Sequence, residues 1–396
     1  MTAPETRAVV SALSAGGAEV RFVGGCVRDA ILGRDSQDID LATTDAPDRV
    51  MELLALAGLR ALPTGIAHGT VTALSGGRHY EVTTLRRDVE TYGRHAKVAF
   101  TDDWTEDAAR RDFTINALYA DIDGTLYDPT GGRADLAAGR VRFVGDAALR
   151  IREDALRILR FFRFHARYGK GAPDAEGLAA ASNAATSLDN LSGERIAGEM
   201  FKLLRAAQAP QVVRVMAEAG VLAHVVPGAV GFDRLQRLVA YESARHEADS
   251  VRRLASILPS DVDGARRLAE RLRLSNAERD RLVAAVAPPL ALSAGMDAAA
   301  ARRAIHRLGA ERFRDLALLA WAEDPAAERW RDHLALADTW NPPIFPIKGE
   351  DVLALGLASG PRVGQLLDTV TRWWEEGDFR ADRADCLAKL RELAAA

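Results

Sequence analysis

The sequence predicts an α+β head followed by an all-helical remainder, and two observations support this division. Most of the β-branched alternation and most of the glycine-marked turns lie within residues 1–140, whereas amphipathic helical spacing dominates after Gly139. The chain of 396 residues is 48% hydrophobic, and no apolar run approaches the ~18 residues that a membrane span requires. We therefore expect a soluble globular chain of two or more packing units, and we exclude a disordered, fibrous or membrane-spanning protein.

The cysteines and the first residues indicate the compartment. Cys26 and Cys386 are the only two cysteines and cannot form a disulfide framework. The opening residues MTAPETRAVV lack the basic stretch and the apolar core of a secretory signal. We expect a reducing cytoplasm.

The net charge of −4 argues mildly against a protein that coats nucleic acid with its whole surface. The stretch from Arg142 to Lys170 is an exception, because it contains eight basic residues against three acidic ones. Positive charge is therefore concentrated in one part of the sequence, where it could meet a local anionic ligand.

Five strands are predicted in the head from alternation and flanking turns. They are Glu19 to Gly25, Asp38 to Thr44, His68 to Leu74, His79 to Leu85 and Gly124 to Thr130. The residues SGGR at Ser75 to Arg78 predict a hairpin turn between the third and fourth strands.

Helices are predicted after the head. Residues Ile151 to Ala166 contain no helix breaker, so the sequence predicts one continuous helix there. Ser192 is a suitable N-cap for a second helix, with Glu194 in its first turn.

A pair of aspartates in the second predicted strand suggests a metal site. Asp38 and Asp40 flank Ile39, so on a strand both carboxylates project from the same face. Two such carboxylates repel each other unless a cation lies between them, and hard oxygen ligands suit Mg²⁺. Taken alone, the same pattern also fits an exposed polar strand edge.

A glycine turn precedes this pair. Gly24 and Gly25 follow a predicted strand and precede a helix that we expect to begin near Val27. Glycine lets backbone N–H groups approach a polyphosphate, and Arg28 could clamp it. A turn without any ligand is the alternative, but the two features lie within twenty residues of each other, which favours a nucleotide site.

These residues carry a family resemblance. The string GGxVRD, followed by GRxxxDIDLATxxxP, resembles the nucleotidyltransferase superfamily, specifically the bacterial branch that holds tRNA CCA-adding enzymes and poly(A) polymerases. Further similar segments follow in the family's order: RRDFTINAL (Arg110 to Leu118), DPTGGRADL (Asp128 to Leu136), EDALRILR (Glu153 to Arg160) and LSGERIAGEMFKLL (Leu191 to Leu204). The resemblance implies a nucleotidyltransferase head with a small mixed sheet and helices, followed by an all-α neck, body and tail.

The resemblance also implies roles in the head. Asp38 and Asp40 would bind the catalytic metals, two Mg²⁺ ions in the active complex. The glycine turn, Gly24 and Gly25, would hold the triphosphate together with Arg28. Glu81 is the predicted third carboxylate, with an exposed strand glutamate as the alternative.

Two further head segments are given expectations. Arg111 is predicted to bind the phosphate or ribose, together with Asp112 and Asn116, although a capped amphipathic helix would also account for the latter two. Residues Arg86 to Phe100 lack apolar periodicity and are predicted to form a mobile loop over the site.

Base selection is assigned to the predicted helix from Ile151 to Ala166. Asp154 and Arg157 lie three residues apart and would share one helix face. Cytosine and adenine both present an amino donor beside an unprotonated ring nitrogen, so a carboxylate and an arginine would accept them and reject uracil and guanine. An ordinary ion pair, such as Glu153 with Arg157, is the alternative.

Arg160 and Arg163 continue the same helix and could meet the triphosphate or the RNA end. Together with these features, the resemblance implies template-independent addition of CCA to the 3′ end of tRNA from CTP and ATP, with no membrane and no protein partner implied. A poly(A) polymerase, a CC- or A-adding specialist, and a non-catalytic RNA-binding relative are the alternatives. The predicted domains are a catalytic head (1–140), a base-selecting neck (141–215), a body (216–340) and an RNA-binding tail (341–396).

Overall fold

The structure is a computed structural model that describes residues 1–36, 38–92 and 95–395. The chain divides into two compact units. The first comprises Met1–Ala229 and Arg271–Arg273, and the second comprises Val230–Glu270 and Leu274–Ala396. Every helix in the described part of the chain is too short or too polar to cross a membrane.

All strands of the described residues lie in the first unit. They are β1 (Val20–Val23), β2 (Ile39–Thr43), β3 (Arg60–Gly65), β4 (Thr70–Ser75), β5 (Arg78–Thr84), β6 (Arg86–Tyr92), β7 (His95–Phe100), β8 (Tyr119–Ala120) and β9 (Leu126–Tyr127). Seven of them form one sheet in the order β3-β4-β5-β2-β1-β8-β9. Strands β2 and β5 are parallel and their neighbours pair antiparallel, so the sheet is mixed, as predicted.

Ten α-helices of the first unit lie before, between and after these strands in the described part of the chain. They are α1 (Pro4–Ser14), α2 (Gly25–Ile31), α3 (Pro47–Leu56), α4 (Trp104–Ala109), α5 (Gly132–Ala138), α6 (Ala147–Glu153), α7 (Leu156–Tyr168), α8 (Ala175–Asn183), α9 (Gly193–Leu204) and α10 (Ala209–Glu218). Short 3-10 turns occur at Ile66–His68, Thr114–Asn116, Ala185–Asn190 and Leu222–His224.

All regular secondary structure in the described residues of the second unit is helical. The helices that lie wholly or mostly in it are α11 (Phe232–Arg245), α12 (Ser250–Ser256), α13 (Val262–Arg271), α14 (Asn276–Val286), α15 (Ala298–Leu308), α16 (Ala310–Glu323), α17 (Trp330–Thr339), α18 (Gly349–Leu353), α19 (Pro361–Glu376) and α20 (Arg383–Ala395). Trp374 is 2% exposed and lies in the apolar core to which α18, α19 and α20 contribute.

Each predicted strand overlaps an observed one, and the predicted hairpin is confirmed. Gly76 and Gly77 join β4 to β5 with φ angles of 56° and 76°. Positive φ at both central residues gives the turn whose twist matches the flanking strands. Strand β3 was not predicted, because its sequence RALPTG contains a proline and does not alternate; it pairs only with β4, at the sheet edge where proline is tolerated.

The predicted loop from Arg86 to Phe100 is wrong. Strands β6 and β7 pair antiparallel, with Arg86 opposite Phe100 and Tyr92 opposite His95. Backbone pairing in a hairpin does not require a buried face, so the missing apolar periodicity gave no indication of it. Residues 93–94, within the predicted loop, lie outside the described residues.

Aromatic residues of α7 pack into the core of the first unit. Phe161 and Phe162 are fully buried and Phe164 is 5% exposed. Phe113 lies between them and Phe143, with ring centroids 4.8 Å from Phe143 and 5.2 Å from Phe164. Helix α7 is therefore anchored in apolar contacts on one side, which leaves its polar side chains in fixed positions.

A close approach at Gly132 generates the first prediction. A Cβ atom at Gly132 would lie 2.1 Å from the carbonyl oxygen of Thr114, which belongs to the backbone and cannot move away alone. We expect Gly132→Ala to lower the free energy of unfolding by about 1–3 kcal/mol, the usual cost of forcing an extra group into a packed site.

Gly198 provides the matched control, because a Cβ there meets nothing within 4 Å. Gly198→Ala, also in a helix, should leave stability unchanged or raise it by up to ~1 kcal/mol. Thermal unfolding of both variants, followed by circular dichroism, measures the difference. Equal unfolding temperatures would contradict the close packing of α5 on the turn at Thr114.

Candidate active site

Three carboxylates lie together where β2 and β5 pair. Strand β2 begins at Ile39, which is 5% exposed, while Asp38 is exposed and Asp40 is half-buried on the other side of the strand. The parallel register places Asp40 directly opposite Glu81 of β5. Adjacent strands lie ~4.8 Å apart, so these two side chains are neighbours on one face.

The electrostatics of Asp40 reflect this crowding. Burial, together with the negative charges of Glu81 and Asp38, raises the pKa of Asp40 to about 6, and the positive charge of Arg111 acts in the opposite direction. Within the described residues, no lysine or arginine forms an ion pair with any of the three carboxylates. Such a group favours a cation supplied from outside the chain.

The donor set fits a divalent ion held jointly with a substrate. No group of three His, Cys, Asp or Glu side chains among the described residues is arranged to hold a metal by itself. Mg²⁺ is commonly bound by one or two carboxylates that share it with substrate phosphates and water. Asp38 and Asp40 offer that kind of partial site.

The glycine turn lies beside these carboxylates. Gly24 has a φ of 71°, and its N–H donates to the carbonyl of Leu118 at 3.0 Å. A Cβ at Gly24 would lie 3.7 Å from Nη1 of Arg111, so the turn faces that guanidinium. Helix α2 begins at Gly25 and not near Val27, two residues earlier than expected, because Gly24 already provides the turn.

Arg28 is more enclosed than the sequence suggested. Its side chain is buried, its Nε donates to Asp29 at 3.0 Å, and its Nη1 donates to the Asn116 side chain. The ring of Tyr168 lies 4.2 Å from its guanidinium carbon. The remaining nitrogen, Nη2, lies 3.6 Å from the position of a Cβ on Gly25, so this edge alone faces the glycine turn.

Arg111 is held by a residue that sequence reasoning missed. Asp107 is 1% exposed, and its Oδ2 accepts from Nε and Nη2 of Arg111 at 3.1 and 2.9 Å and from the Tyr119 hydroxyl at 2.8 Å. Burial acts to raise the pKa of Asp107, but Arg111 and Arg110 outweigh it and lower that pKa to about 2. The spacing of Asp107 three and four residues before the two arginines could have indicated the pair.

The segment RRDFTINAL does not form the α-helix that was weighed for it; only Thr114–Asn116 makes a 3-10 turn. Asp112 is the third residue of this segment, and both of its carboxylate oxygens accept hydrogen bonds. One of its oxygens accepts from Nε and Nη2 of Arg160 at 2.8 and 2.5 Å, and the other accepts from the Asn116 amide at 2.9 Å. Asp112 is therefore bonded inside the protein and fixes both partners.

The predicted continuous helix from Ile151 to Ala166 is wrong. Helix α6 ends at Glu153, α7 begins at Leu156, and Asp154 between them is extended, with φ −151° and ψ 105°. The Asp154 carboxylate accepts from the Leu156 N–H at 3.1 Å. Aspartate competes with helical hydrogen bonds in this way, which is why it favours helix ends over helix interiors.

Asp154 and Arg157 therefore do not share a helix face, and each is held separately. Arg157 donates from Nη1 to Glu153 at 2.6 Å, which realises the ion pair considered from the sequence. Asp154 accepts from Nη2 of Arg195 at 2.7 Å. Arg195 is 41 residues away in the sequence, so no local pattern indicated it.

Arg160 and Arg163, further along α7, are engaged by acids. Arg160 is bonded to Asp112 as described, and Nε of Arg163 lies 2.5 Å from Glu199 of α9. The Arg163 guanidinium also lies 4.1 Å from the ring centroid of Phe164. Glu199 is 5% exposed, so this pair is internal.

One short segment connects the two groups of predicted site residues. Arg157 donates to the carbonyl of Arg110 at 3.4 Å, and Arg150 donates to the carbonyl of Ala109 at 3.2 Å. Arg111, which acts electrostatically on Asp40, is the next residue in the same segment. Residues 109–112 thus join the carboxylate site to the residues around the helix break.

Comparison with known proteins assigns the chain to a family. Residues 20–142 match the family model of the "Poly A polymerase head domain", and residues 173–231 match "Probable RNA and SrmB- binding site of polymerase A". The chain is 34% identical to mitochondrial CCA tRNA nucleotidyltransferase 1 of Mus musculus, over 94% of this chain and 87% of the relative. The chain belongs to the CCA-adding and poly(A) polymerase family.

Two further members of this family extend the comparison. The CCA-adding enzyme of Limosilactobacillus fermentum is 31% identical over 98% of this chain and 96% of its own length. The crystal structure of the Bacillus stearothermophilus CCA-adding enzyme in complex with CTP matches with a TM-score of 0.79 and 29% identity, covering 99% and 97% of the two chains. The predicted family is confirmed, and so is the predicted nucleotidyltransferase head followed by helices.

Asp107 generates the second prediction. Asp107→Asn removes the charge that fixes Arg111 while keeping the shape of the side chain. Hydrogen bonds to charged groups contribute about 1.5–3 kcal/mol each, so we expect nucleotide incorporation to fall by about tenfold or more. Steady-state incorporation kinetics with varied nucleotide concentration measure this effect.

Asp103→Asn is the matched control on the same helix. Asp103 accepts from the Thr105 N–H at 2.7 Å as the N-cap of α4 and does not contact Arg111. This variant should lose at most ~1 kcal/mol of stability and keep its activity. Equal activity of the two variants at a temperature where both are folded would refute the role of Asp107.

Proposed function

We propose that this chain adds C, C and A to the 3′ end of tRNA from CTP and ATP, without a template and with release of pyrophosphate. The observation that carries the proposal is that residues 109–112 connect the carboxylate pair to Arg157, which lies at the same helix break as Asp154. The family supports the same reaction, since its similar members are named CCA-adding enzymes and one was crystallised with CTP.

Base choice follows from the two held side chains at the helix break. The Asp154 carboxylate is a hydrogen-bond acceptor and the Arg157 guanidinium is a donor. Cytosine and adenine offer the complementary amino group and ring nitrogen, so both polar groups are satisfied. Uracil and guanine present a carbonyl beside an N–H and would leave both groups unpaired, which costs binding free energy.

Catalysis is assigned to the head. Asp38 and Asp40 would hold divalent cations, proposed as two Mg²⁺ ions, with Glu81 as the third carboxylate. When bound, these ions would supply charge neutralisation at the phosphates and activation of the RNA 3′-hydroxyl. The chain itself contributes positioning: the Gly24–Gly25 turn, the free edge of Arg28 and Arg111 would orient the triphosphate, since such transfers depend mainly on positioning and charge stabilisation.

The remaining assignments complete the proposal. Residues 1–140 would form the catalytic head, 141–215 the neck, 216–340 the body and 341–396 the tail that contacts RNA. Arg160 and Arg163 would act by fixing Asp112 and Glu199 around the nucleotide, given their internal ion pairs. The cytoplasm is the proposed compartment, because Cys26 and Cys386 are both buried, free thiols.

A single assay tests the reaction. Purified protein receives Mg²⁺ and tRNA transcripts that end at the discriminator base or after CC, with CTP, ATP, UTP or GTP singly and together. We expect addition to stop after C, C and A, and to cease when the metal is chelated. Long A tracts would instead indicate a poly(A) polymerase, incomplete addition a CC- or A-adding specialist, and no incorporation a non-catalytic RNA-binding protein.

The third prediction concerns the carboxylate pair. Asp38→Asn should lower transfer by roughly a thousandfold, because metal charge stabilisation contributes several kcal/mol and each ~1.4 kcal/mol is a factor of ten in rate. The exposed Asp35→Asn in the same loop should keep full activity. Retained activity in Asp38→Asn, with unchanged circular dichroism, would show that the metal site is misassigned.

The fourth prediction concerns base choice. Asp154→Ala should lower the preference for CTP over UTP by about tenfold or more, since the amino group of cytosine loses its acceptor. Asp174→Ala is the control for loss of a helix cap, because Asp174 accepts from the Gly177 N–H at 3.0 Å at the start of α8. Unchanged selectivity in Asp154→Ala would reject the proposed pair.

A further inference from the structure

We propose that Arg195 is a positioning residue for base selection, which acts by fixing the carboxylate of Asp154. This inference rests on the proposed function. Nη2 of Arg195 lies 2.7 Å from Oδ2 of Asp154, and each side chain is 22% exposed. The other oxygen of Asp154 accepts from the Leu156 N–H at 3.1 Å, so each carboxylate oxygen has its own donor.

Asp154 needs such a partner because it lies outside both helices. Its extended backbone between α6 and α7 gives it no helical neighbours to limit its side chain. The Leu156 N–H fixes one carboxylate oxygen of Asp154. The carboxylate could still rotate about that hydrogen bond, and a second donor, Arg195, prevents this rotation. An acceptor that must meet a base within a few tenths of an ångström requires this second contact.

The interaction leaves room for the nucleotide. An ionised carboxylate can accept about four hydrogen bonds, two at each oxygen. Leu156 and Arg195 occupy two of these sites. An exocyclic amino group can therefore bind without displacing Arg195.

Arg195 is itself fixed on a packed helix. The neighbouring residues Ile196, Ala197 and Met200 of α9 are buried. Glu199 lies one turn further along α9, where it could pair with Arg195, but its carboxylate lies 2.5 Å from Arg163. Among the described residues, Asp154 is the one acidic partner of Arg195.

Both members of the base-selecting pair are thus held by an opposite charge. Glu153 holds Arg157 at 2.6 Å and is itself held by Arg150 at 2.6 Å. Arg195 does the same for Asp154 from a different helix. In this arrangement Asp154 would contact the base, and Arg195 would hold Asp154 in position.

The test measures selectivity as well as activity. The values of kcat and KM for each nucleotide, and the ratios of kcat/KM for CTP over UTP and ATP over GTP, are determined for Arg195→Ala and Arg195→Lys. We expect Arg195→Ala to lower both ratios by about ten- to a hundredfold, the range for a hydrogen bond to a charged group. Arg195→Lys, which keeps a charged donor, should recover part of the loss.

Arg273→Ala is the matched control. Arg273 forms an ion pair at 3.0 Å with Glu194, the residue before Arg195. The side chains of both Arg273 and Glu194 are more than half exposed. Removal of the Arg273 side chain should leave the ratios unchanged. Equal loss of kcat/KM for all four nucleotides in Arg195→Ala, without a change in the ratios, would overturn the inference and indicate a structural role only.

A double variant distinguishes the route of action. If Arg195 acts through Asp154, then Arg195→Ala should change selectivity by less than about twofold in the Asp154→Ala background. Full additivity would overturn the inference, because Arg195 would then act on the nucleotide directly. Lost selectivity in Asp154→Ala but not in Arg195→Ala refutes this inference alone, whereas unchanged selectivity in both also refutes the proposed base selection.

Discussion

The ion pair between Asp112 and Arg160 is the contact on which the arrangement of the candidate site depends. It joins a segment of the head to helix α7 by two hydrogen bonds on one oxygen, at 2.8 and 2.5 Å. The second oxygen of Asp112 accepts from the side-chain amide nitrogen of Asn116. The side-chain oxygen Oδ1 of Asn116 in turn accepts from Arg28. Burial acts to raise the pKa of Asp112, but Arg160 and Asn116 outweigh it and lower that pKa. A buried carboxylate of this kind is stable only when its donors are all present, so removal of one would release several site residues together.

Two sets of acids in the first unit differ in their partners, and the difference supports the proposed location of the chemistry. Asp107, Asp112 and Asp135 are nearly or fully buried, and each is paired with at least one arginine. Asp38 and Asp40, like Glu81, have no such partner among the described residues, although the charges of Asp38 and Glu81 raise the pKa of Asp40. The absence of a basic partner at these three carboxylates, within the described part of the chain, supports the proposal that a cation from solution binds there.

The sequence predicted those parts of the molecule that depend on local patterns. Alternation around Ile39 gave the shared face of Asp38 and Asp40, and paired glycines gave the hairpin between β4 and β5. The helix break could not be found in this way, because apolar periodicity continues through Asp154 and the break is stabilised by Arg195 from another helix. Asp107 was missed although its spacing to Arg110 and Arg111 fits a helical ion pair, because the same spacing is typical of ordinary surface pairs. Glu199 was missed because its partner, Arg163, lies on another helix.

The basic stretch from Arg142 to Lys170 has a different meaning in three dimensions. Acids outside the stretch compensate much of it: Arg142 pairs with Asp135, Arg160 with Asp112, and Arg163 with Glu199. Its arginines are therefore mainly structural links between α7 and its neighbours, and only specific edges remain for a nucleotide. Selectivity between bases requires that most of these arginines be paired with acids. A cluster of unpaired arginines would attract every nucleoside triphosphate equally through its phosphates. We therefore propose that discrimination among bases depends on arginines that are fixed by acids, with Arg157 and Asp154 as directed donor and acceptor at the break between α6 and α7.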